Sequence, residues 1–509
     1  MYKILSFLFL FAVNFAVSFG QNAPDKQINA LDEMRVFEPV AMQQDFNYLR
    51  KALEDTHPGL YKHQTKEAMQ YKMDSLYNLL NKPMAFLDFY KIIAYLIAEV
   101  KCEHTYCNPY GDNYEKKILQ WKMIPMQLQF TSDKAYVVVN ATADTSIHFG
   151  DEILSINHRP IDSIKQVLYK YMPSDGNMES SKEEALQNFS SFNIAYHLFI
   201  EQATAFDMEF KIADGNVIQR SFRNPPVLAE VDQLALANLN NKEVFAFSKR
   251  NSNKRKIPYR LEINKEKNTA IIYAREFGGD RDRVFKQYDD FFTKIKREKV
   301  TNLVIDLSYN GGGEEEYACE LLSYLIDTPT RFIENEYLIN MDDAYFKMSN
   351  IPKEAKENKK DFIDTLLNGK FYVKPLTKYS MELKVFQPKP NGFKGNVYFL
   401  VNGGTSSAAS TCAANAKSDH LATIVGDETA GSFAGGGSTN GLDLTLPNSK
   451  IAVHTSIVYC TFSTSGADRD HGVIPDYYFV PSFLDITNYF KNDVDVWQAF
   501  IYGLISKRK

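Results

Sequence analysis

The 509-residue sequence has few cysteines, no excess of basic residues and no long apolar run after its N-terminus. Five cysteines are an odd and sparse number for so long a chain, so they do not indicate a disulfide scaffold. Cys102 and Cys107 either pair across a short loop or remain free thiols. The formal net charge of −5 provides no basic field, which excludes a nucleic-acid partner. No later run reaches the roughly 20 apolar residues of a transmembrane helix.

The N-terminus has the pattern of a secretory signal peptide. Lys3 precedes the apolar run from Ile4 to Phe11, and small residues follow as far as Gly20. We expect residues 1–20 to be removed, which leaves a chain long enough for about three domains. The mature protein is therefore expected outside the cytoplasm, either in the periplasm or secreted.

Changes in hydrophobic periodicity divide the remaining chain into regions. Apolar residues at helical spacing predict a helical domain over residues 21–115. A change to β-type alternation sets off residues 116–220, and strands then alternate with helices over 221–485, as in an α/β layered domain. Within it, the polar and charged segment at about 328–392 is interpreted as an irregular insertion over the core. Residues 486–509 are expected to form a helical tail.

The most informative motif is a serine-containing turn between a strand and a helix. The apolar run from Val397 to Val401 stops at Gly403-Gly404, and the sequence reads as helix from Ala408 onward. A serine at such a sharp turn is held out from the backbone, at the positive end of a helix dipole. These are the conditions that a serine nucleophile requires.

A second motif, the Gly-rich loop at residues 310–313, follows another buried strand and precedes another helix. Glycines let the backbone approach a ligand closely and direct its N–H groups inward. A phosphate loop would need a Gly-Lys-Ser/Thr ending, and the glutamates at 314–316 would repel phosphate. An oxyanion hole fits better. The glutamates either complement the helix N-terminus or recognise a basic substrate side chain.

These motifs together resemble a known enzyme family. The segment from Gly150 to Ile161 resembles part of a PDZ domain, and residues 426–431 read Gly-Asp-Glu-Thr-Ala-Gly. With the serine turn and the Gly-rich loop, they resemble the tail-specific, or C-terminal processing, serine peptidases, which include the tricorn core. The resemblance implies a crotonase-like α/β core with an inserted PDZ-like domain. It also implies a polypeptide substrate that can be engaged through its C-terminus, and no metal or cofactor.

The resemblance assigns a nucleophile and an oxyanion hole. The family nucleophile is the middle serine of a Ser-Ala-Ser-Ala-Ser-Glu stretch, which matches Ser407, and Ser406 is the neighbouring alternative. The oxyanion donors match the backbone N–H groups of Ala408 and Gly312, with Gly313 as a further candidate. These assignments come from the aligned motifs alone.

The residue at the position of the family's general base differs from the common pattern. Many members carry a lysine where this sequence has Ser432. A neutral imidazole is the usual substitute. The tricorn-like branch uses a histidine from the N-terminal region, and His104 resembles that pattern. His471 is the rival base, whereas His63 is expected to be exposed.

The acid that orients the imidazole is less sharply defined. The tricorn-like branch takes a Glu shortly before its Gly-Val-x-Pro-Asp stretch, and the aligned residue here is Arg469. Its neighbours Asp468 and Asp470 could serve instead, and we favour Asp470.

The resulting hypothesis is an exported serine endopeptidase or carboxy-terminal processing peptidase that works through an acyl-enzyme. The alternative is a catalytically inactive protein on the same fold that binds peptides or apolar ligands, which the missing lysine motivates. A hydrolase of small acyl compounds is a third candidate. The sequence leaves the oligomeric state and cleavage preference open.

Overall fold

The structure is a computed structural model, and the residues that it describes are 35–109, 117–131, 134–255, 257–375, 377, 380–466, 468–492 and 495–507. They form a mixed α/β protein with helices and several sheets. The predicted signal peptide, residues 1–20, lies outside the described residues. In the described part of the chain, no helix combines the length and apolar character needed to cross a bilayer.

The N-terminal region is helical, as the apolar periodicity predicted. Its helices are α1 Pro39–Thr56, α2 Lys66–Asn78 and α3 Phe86–Glu99, and its strands are β1 Val36–Phe37, β2 Met84–Ala85 and β3 Tyr106–Asn108. A proline occupies the first position of α1, where its missing N–H is not needed. The Thr65 side chain caps the start of α2 by accepting from the Ala68 amide at 3.2 Å.

The next region is an antiparallel sheet with its own core. Its strands are β4 Met126–Thr131, β5 Lys134–Asn140, β6 Glu152–Ile156, β7 Arg159–Pro160, β8 Phe206–Lys211 and β9 Val217–Phe222. Its helices are α4 Ile161–Tyr169, α5 Ser180–Leu186 and α6 Phe189–Phe199. The sheet order is β4-β5-β6-β8-β9, with β7 paired to β6. A separate cluster of buried apolar side chains joins these strands and helices.

The remaining elements build the C-terminal half of the protein. Its strands are β10 Tyr259–Asn264, β11 Thr269–Ala274, β12 Asn302–Asp306, β13 Ile333–Leu338, β14 Ile363–Leu367, β15 Lys370–Val373, β16 Asn396–Val401, β17 Thr423–Gly426, β18 Gly435–Gly437, β19 Gly441–Thr445, β20 Ala452–Ser456, β21 Tyr459–Phe462 and β22 Tyr477–Tyr478. Its α-helices are α7 Leu228–Ala237, α8 Lys242–Arg255, α9 Arg281–Arg297, α10 Glu315–Leu322, α11 Asp343–Phe346, α12 Lys353–Glu357, α13 Lys359–Phe362, α14 Ala408–Ser418, α15 Phe483–Asn492 and α16 Val496–Lys507. Short 3₁₀ turns lie at Leu239–Asn241 and Met381–Leu383.

The central sheet has the order β10-β11-β12-β16-β17-β22, and all its neighbours are parallel except β10 and β11. Alternate residues of its strands point to opposite faces, and both faces are buried. One face, with Ile305 and Phe399, joins the main core, whereas the other, with Val304 and Leu400, packs against Ile501 and its neighbours in α16. The strand–helix alternation expected from the sequence is therefore present.

The segment at 328–392 is not irregular, contrary to the sequence-based expectation. Strand β13 pairs with β21, and β14 and β15 form a hairpin that extends the same sheet. Asn368 and Gly369 join that hairpin with φ angles of +52° and +74°, the two-residue turn that Asn-Gly favours. The polar composition concealed these strands because many of their side chains are half-buried or exposed.

All five cysteines are free thiols, so Cys102 and Cys107 do not form a disulfide.

A buried carboxylate joins the N-terminal helices to the C-terminal half through hydrogen bonds. Asp45 in α1 is fully buried, and it accepts the amides of Asn448 at 2.8 Å and Ser449 at 2.7 Å. Those two residues lie in the turn between β19 and β20. Because water cannot reach these groups, each depends on the other for its hydrogen bonds.

We expect Asp45→Ala to lower the free energy of unfolding by about 2–4 kcal/mol, because two buried amides lose their acceptor. The exposed Asp290→Ala variant removes only an i,i+4 ion pair with Lys286 and should cost less than about 0.5 kcal/mol. Urea unfolding of both variants measures the difference. Equal stabilities would show that the Asp45 contact does not hold the two regions together.

Candidate active site

The serine turn adopts a strained conformation at the end of β16. Ser407 precedes the first residue of α14. Its backbone angles, φ +50° and ψ −127°, lie in a region that residues other than glycine rarely adopt. The Thr405 hydroxyl donates to the Leu307 carbonyl at 2.9 Å and accepts from the Asn402 amide at 3.0 Å. These buried bonds hold the turn, so the Ser407 side chain projects from a fixed sharp bend between strand and helix.

The two neighbouring serine hydroxyls have different surroundings. Ser406 is buried, and its hydroxyl donates to the Glu103 carboxylate. Ser407 is half-buried and lines an adjacent cavity of about 150 Å³. Of these two serines, Ser407 is the one that lines the cavity.

The Gly-rich loop lies directly against this turn. A Cβ atom added to Gly312 would come within 2.5 Å of the Ser407 Cβ, and one added to Gly313 within 2.0 Å of the Phe277 carbonyl oxygen. Both glycines also have positive φ angles, +100° and +127°. A backbone hydrogen bond also joins the loop to this turn, because the Ser406 amide donates to the Asn310 carbonyl at 3.0 Å. Only glycine fits at both positions.

The three predicted oxyanion donors are not equivalent. The Gly312 amide donates to the Asn310 side-chain oxygen at 2.9 Å, so it is already engaged. The residues on either side of Gly313 make the backbone hydrogen bonds to Phe277, so the Gly313 amide points away from Phe277. Among the described residues, none accepts a hydrogen bond from the amide of Gly313 or of Ala408. Ala408 follows Ser407 in the chain, and Gly313 lines the same cavity as Ser407.

His104 lies in a tight turn between α3 and β3. The turn closes through the Thr105 amide, which donates to the Cys102 carbonyl at 3.0 Å. The Thr105 hydroxyl then contacts His57 Nε2 at 3.1 Å and accepts the Ser456 amide at 3.2 Å. Because β3 also pairs with β20, a segment that is distant in sequence carries His104 to the cavity that Ser407 lines.

The surroundings of His104 favour the neutral form of its imidazole. Burial lowers the pKa of His104, and the nearby charge of Glu103 opposes this effect only in part. Its Nδ1 atom is buried without a hydrogen-bond partner, and the nearest carboxylate oxygen, Glu103 Oε1, lies 3.8 Å away. A neutral, half-buried imidazole beside a serine can accept a proton.

Two acidic residues support the His104 turn. The Glu103 amide donates to Asp175 Oδ1 at 2.9 Å, and both residues line the cavity. Burial, and then the charge of Glu103, raise the pKa of Asp175 well above its usual range. Glu103 was not among the acids predicted from the sequence. Its position directly before the predicted base was the available signal.

The predicted acid and the rival base lie elsewhere. Asp470 is half-exposed and contacts His63 Nδ1 at 2.9 Å, and His63 is only 10% exposed, contrary to the expectation that it is exposed. Asp468 accepts the Asp470 amide at 2.9 Å. His471 contacts Glu428 at 3.0 Å and is 45% exposed. The described lining of the cavity contains Ser407, His104 and Gly313 but none of Asp468, Asp470 and His471.

Two further serines that line the cavity, Ser432 and Ser410, carry structural hydrogen bonds. Ser432 stands where many relatives have lysine, and it lines the cavity while its hydroxyl accepts the Ala434 amide at 3.2 Å. The Ser410 hydroxyl donates to the Thr405 carbonyl at 2.8 Å and accepts the Gly431 amide at 3.0 Å. Ser410 thereby ties α14 to the turn that follows β17.

Within the described residues, no group of three or more His, Cys, Asp or Glu side chains is arranged to hold a metal ion.

Comparison with known proteins agrees with this architecture. Residues 268–479 match the model of peptidase family S41. The structure of mature CPAF complexed with lactacystin is 14% identical, with 92% of this chain and 99% of that chain covered and a TM-score of 0.60. A CPAF mutant structure is 15% identical, with coverages of 92% and 97% and a TM-score of 0.59. No curated protein matches the sequence.

The fold and the matched region define the class of the protein. The CPAF structures share the fold of this chain at a sequence identity too low to imply more. The domain at residues 268–479 belongs to peptidase family S41, a family of serine peptidases.

We expect Gly312→Ala and Gly313→Ala each to lower the free energy of unfolding by about 1–3 kcal/mol, because the methyl group overlaps the serine turn or the Phe277 carbonyl. Gly278 is the matched control, since a Cβ atom there meets nothing within 4 Å. Thermal unfolding of the three variants tests this. A Gly312→Ala protein as stable as Gly278→Ala would contradict the described contact between loop and turn.

Proposed function

We propose that the protein is a serine peptidase in which Ser407 is the nucleophile and His104 the general base. The observation that carries the proposal is that the strained serine turn, the His104 imidazole and the Gly-rich loop all border one cavity. The low pKa of His104 supports the role of a base, because a neutral imidazole can accept the serine proton.

In the proposed mechanism, Ser407 Oγ attacks the peptide carbonyl while His104 takes its proton. The amides of Gly313 and Ala408 donate to the resulting oxyanion, and both are free to do so. Gly312, whose amide is engaged, contributes by permitting the close approach of the loop. His104 then protonates the leaving amine, and water hydrolyses the acyl-enzyme by the reverse sequence.

For the acid we propose Glu103 instead of Asp470. Glu103 Oε1 lies 3.8 Å from His104 Nδ1, whereas Asp470 contacts His63. A carboxylate beside Nδ1 stabilises the imidazolium that forms during attack. The orphaned Nδ1 atom is the group that such a carboxylate would satisfy.

We also propose fold types and boundaries for the individual regions of the chain. A parallel central sheet covered by helices on both faces supports a crotonase-like core over residues 221–485. A small antiparallel sheet with its own core supports a PDZ-like domain over 116–220. We propose boundaries at 21–115 for the helical domain and at 486–509 for the tail.

We further propose an endopeptidase or carboxy-terminal processing activity of the tricorn-like, histidine-containing branch, on polypeptides engaged through the C-terminus. The PDZ-like region supports this substrate class, because such modules bind extended peptides by strand addition. The N-terminal sequence supports export, and the charge balance supports the absence of a nucleic-acid partner. The rival is a non-catalytic binding protein, and the following experiment separates the two.

We expect a fluorophosphonate probe to label the wild-type protein at Ser407 and not to label Ser407→Ala. His104→Ala should slow labelling by about 10²–10⁴-fold, because the serine loses its base. Ser418→Ala is the matched control, since it changes a serine at the far end of α14. Intact-protein mass spectrometry measures the adduct.

Two outcomes would count against this assignment. Equal labelling of a folded Ser407→Ala protein would remove Ser407 as nucleophile. A wild type that neither labels nor cleaves an unstructured protein would instead favour the non-catalytic binder.

The pH dependence of kcat/KM tests the assignment of the base. Because burial lowers the pKa of His104, activity should persist as the pH falls below 6.5, the ordinary imidazole value. In Glu103→Gln the charge that raises this pKa is lost, so the acid limb should move to still lower pH and the maximal rate should fall. An acid limb above 6.5, or one that Glu103→Gln leaves in place, would contradict the roles of His104 and Glu103.

A further inference from the structure

The cavity beside Ser407 is lined by an unusual concentration of carboxyl groups. Glu315, Glu336 and Glu382 reach it from three separate elements, the first turn of α10, strand β13 and the 3₁₀ turn after β15. Among the described lining residues, none is Lys or Arg, although Glu103, Asp175 and Glu314 add further carboxyls to the wall.

These carboxyls have no cationic partner in the cavity. Glu315 Oε1 accepts the Thr411 hydroxyl at 3.1 Å, but its Oε2 atom is fully buried without a hydrogen-bond partner. The nearby Lys384 and Arg281 both bind Glu316 instead, each at 2.7 Å. A buried carboxyl oxygen that lacks a partner is costly, and in native proteins such a group calls for an explanation.

Burial in the cavity favours the protonated forms of its carboxyls. Burial raises the pKa of Glu315 to about 8. Burial, followed by the charges of neighbouring glutamates, also raises the pKa of Glu336 and Glu382 above the usual range. A cation that entered the cavity would favour the ionised forms and release protons.

The pocket lies close to the proposed nucleophile. Thr411, which binds Glu315, is one helical turn from Ser407, and its amide donates to the Ser407 carbonyl at 3.0 Å. One turn spans about 5.4 Å, which a long side chain near the scissile bond can cover. On the opposite wall, Glu336 pairs with Cys460 and Cys460 with Gly436, so the sheet closes the pocket.

From this geometry we infer that Glu315, Glu336 and Glu382 form a subsite for a cationic side chain, lysine or arginine, of a polypeptide residue next to the scissile bond. This inference rests on the proposed peptidase function. A divalent metal is disfavoured as the occupant, because no group of described side chains is arranged to hold one. An extended ammonium or guanidinium donates several hydrogen bonds and suits dispersed carboxyl oxygens.

Other titratable groups surround the three glutamates and affect their protonation. These are Glu314, Glu316, Lys384, Cys319, Cys412 and Cys460. Burial raises the pKa of the three thiols well above the usual value, so they stay neutral, and Lys384 is committed to Glu316. The glutamates therefore remain the groups that respond to a cation near neutral pH.

The test uses binding to Ser407→Ala protein, so that it does not depend on turnover. It compares two peptides that are identical except at one position, where one has lysine and the other has its neutral analogue norleucine. We expect the lysine peptide to bind at least about tenfold more tightly, because buried charged hydrogen bonds are strong. This advantage should grow by at least about threefold from about pH 6 to about pH 8.5, whereas norleucine binding should not strengthen.

Two single variants, Glu336→Gln and Glu315→Gln, should each reduce the lysine advantage and leave norleucine binding unchanged. Glu334→Gln is the matched control, since Glu334 lies on the same strand but is exposed and outside the cavity. Because glutamine keeps the shape and removes a buried acid, both variants should fold, which thermal unfolding checks.

The outcomes for the two proposals can be distinguished. Equal binding of both peptides, or no binding of the lysine peptide at millimolar concentration, would overturn the cationic subsite even if wild-type protein labels at Ser407. A lysine preference in Ser407→Ala, together with a wild type that neither labels nor cleaves, would support the subsite while refuting the peptidase.

Discussion

The close approach of the Gly312 backbone to Ser407 is the contact on which the proposed site depends. A space too small for a methyl group separates the loop after β12 from the turn after β16. The two strands are neighbours in the parallel sheet, so their carboxyl ends meet at one edge. This contact brings the loop that carries Gly313 and the turn that carries Ser407 to one cavity.

The cavity contains more carboxyl groups than the proposed catalytic mechanism uses. Protonated carboxyls limit the electrostatic cost of burying Glu315, Glu336 and Glu382 together, yet an orphaned oxygen remains. Retaining such groups lowers stability, and strain or unmet polar groups commonly accumulate where a ligand is bound. The segment at 328–392 supplies two of these glutamates, so it belongs to the cavity wall as well as to the extended sheet.

Features encoded by local pattern were predicted well from the sequence. The buried strands around Val304 and Phe399 are short apolar runs next to helical periodicity, and the serine turn and Gly-rich loop follow them directly. Features that depend on contacts between residues distant in sequence were not predicted. Glu103 adjoins His104 in sequence, but its distance to Nδ1 is set by the fold. Strand β13 has a polar sequence, and its Glu336 lines a cavity that the sequence does not reveal.

A crystal structure of the protein with a peptidyl boronate tests the central claim most directly. We predict a covalent bond from boron to Ser407 Oγ, with one boronate oxygen within about 3 Å of the amides of Gly313 and Ala408. We also expect the imidazole of His104 to contact the adduct. Boron bound to Ser406, or a boronate oxygen directed away from both amides, would contradict the proposed site.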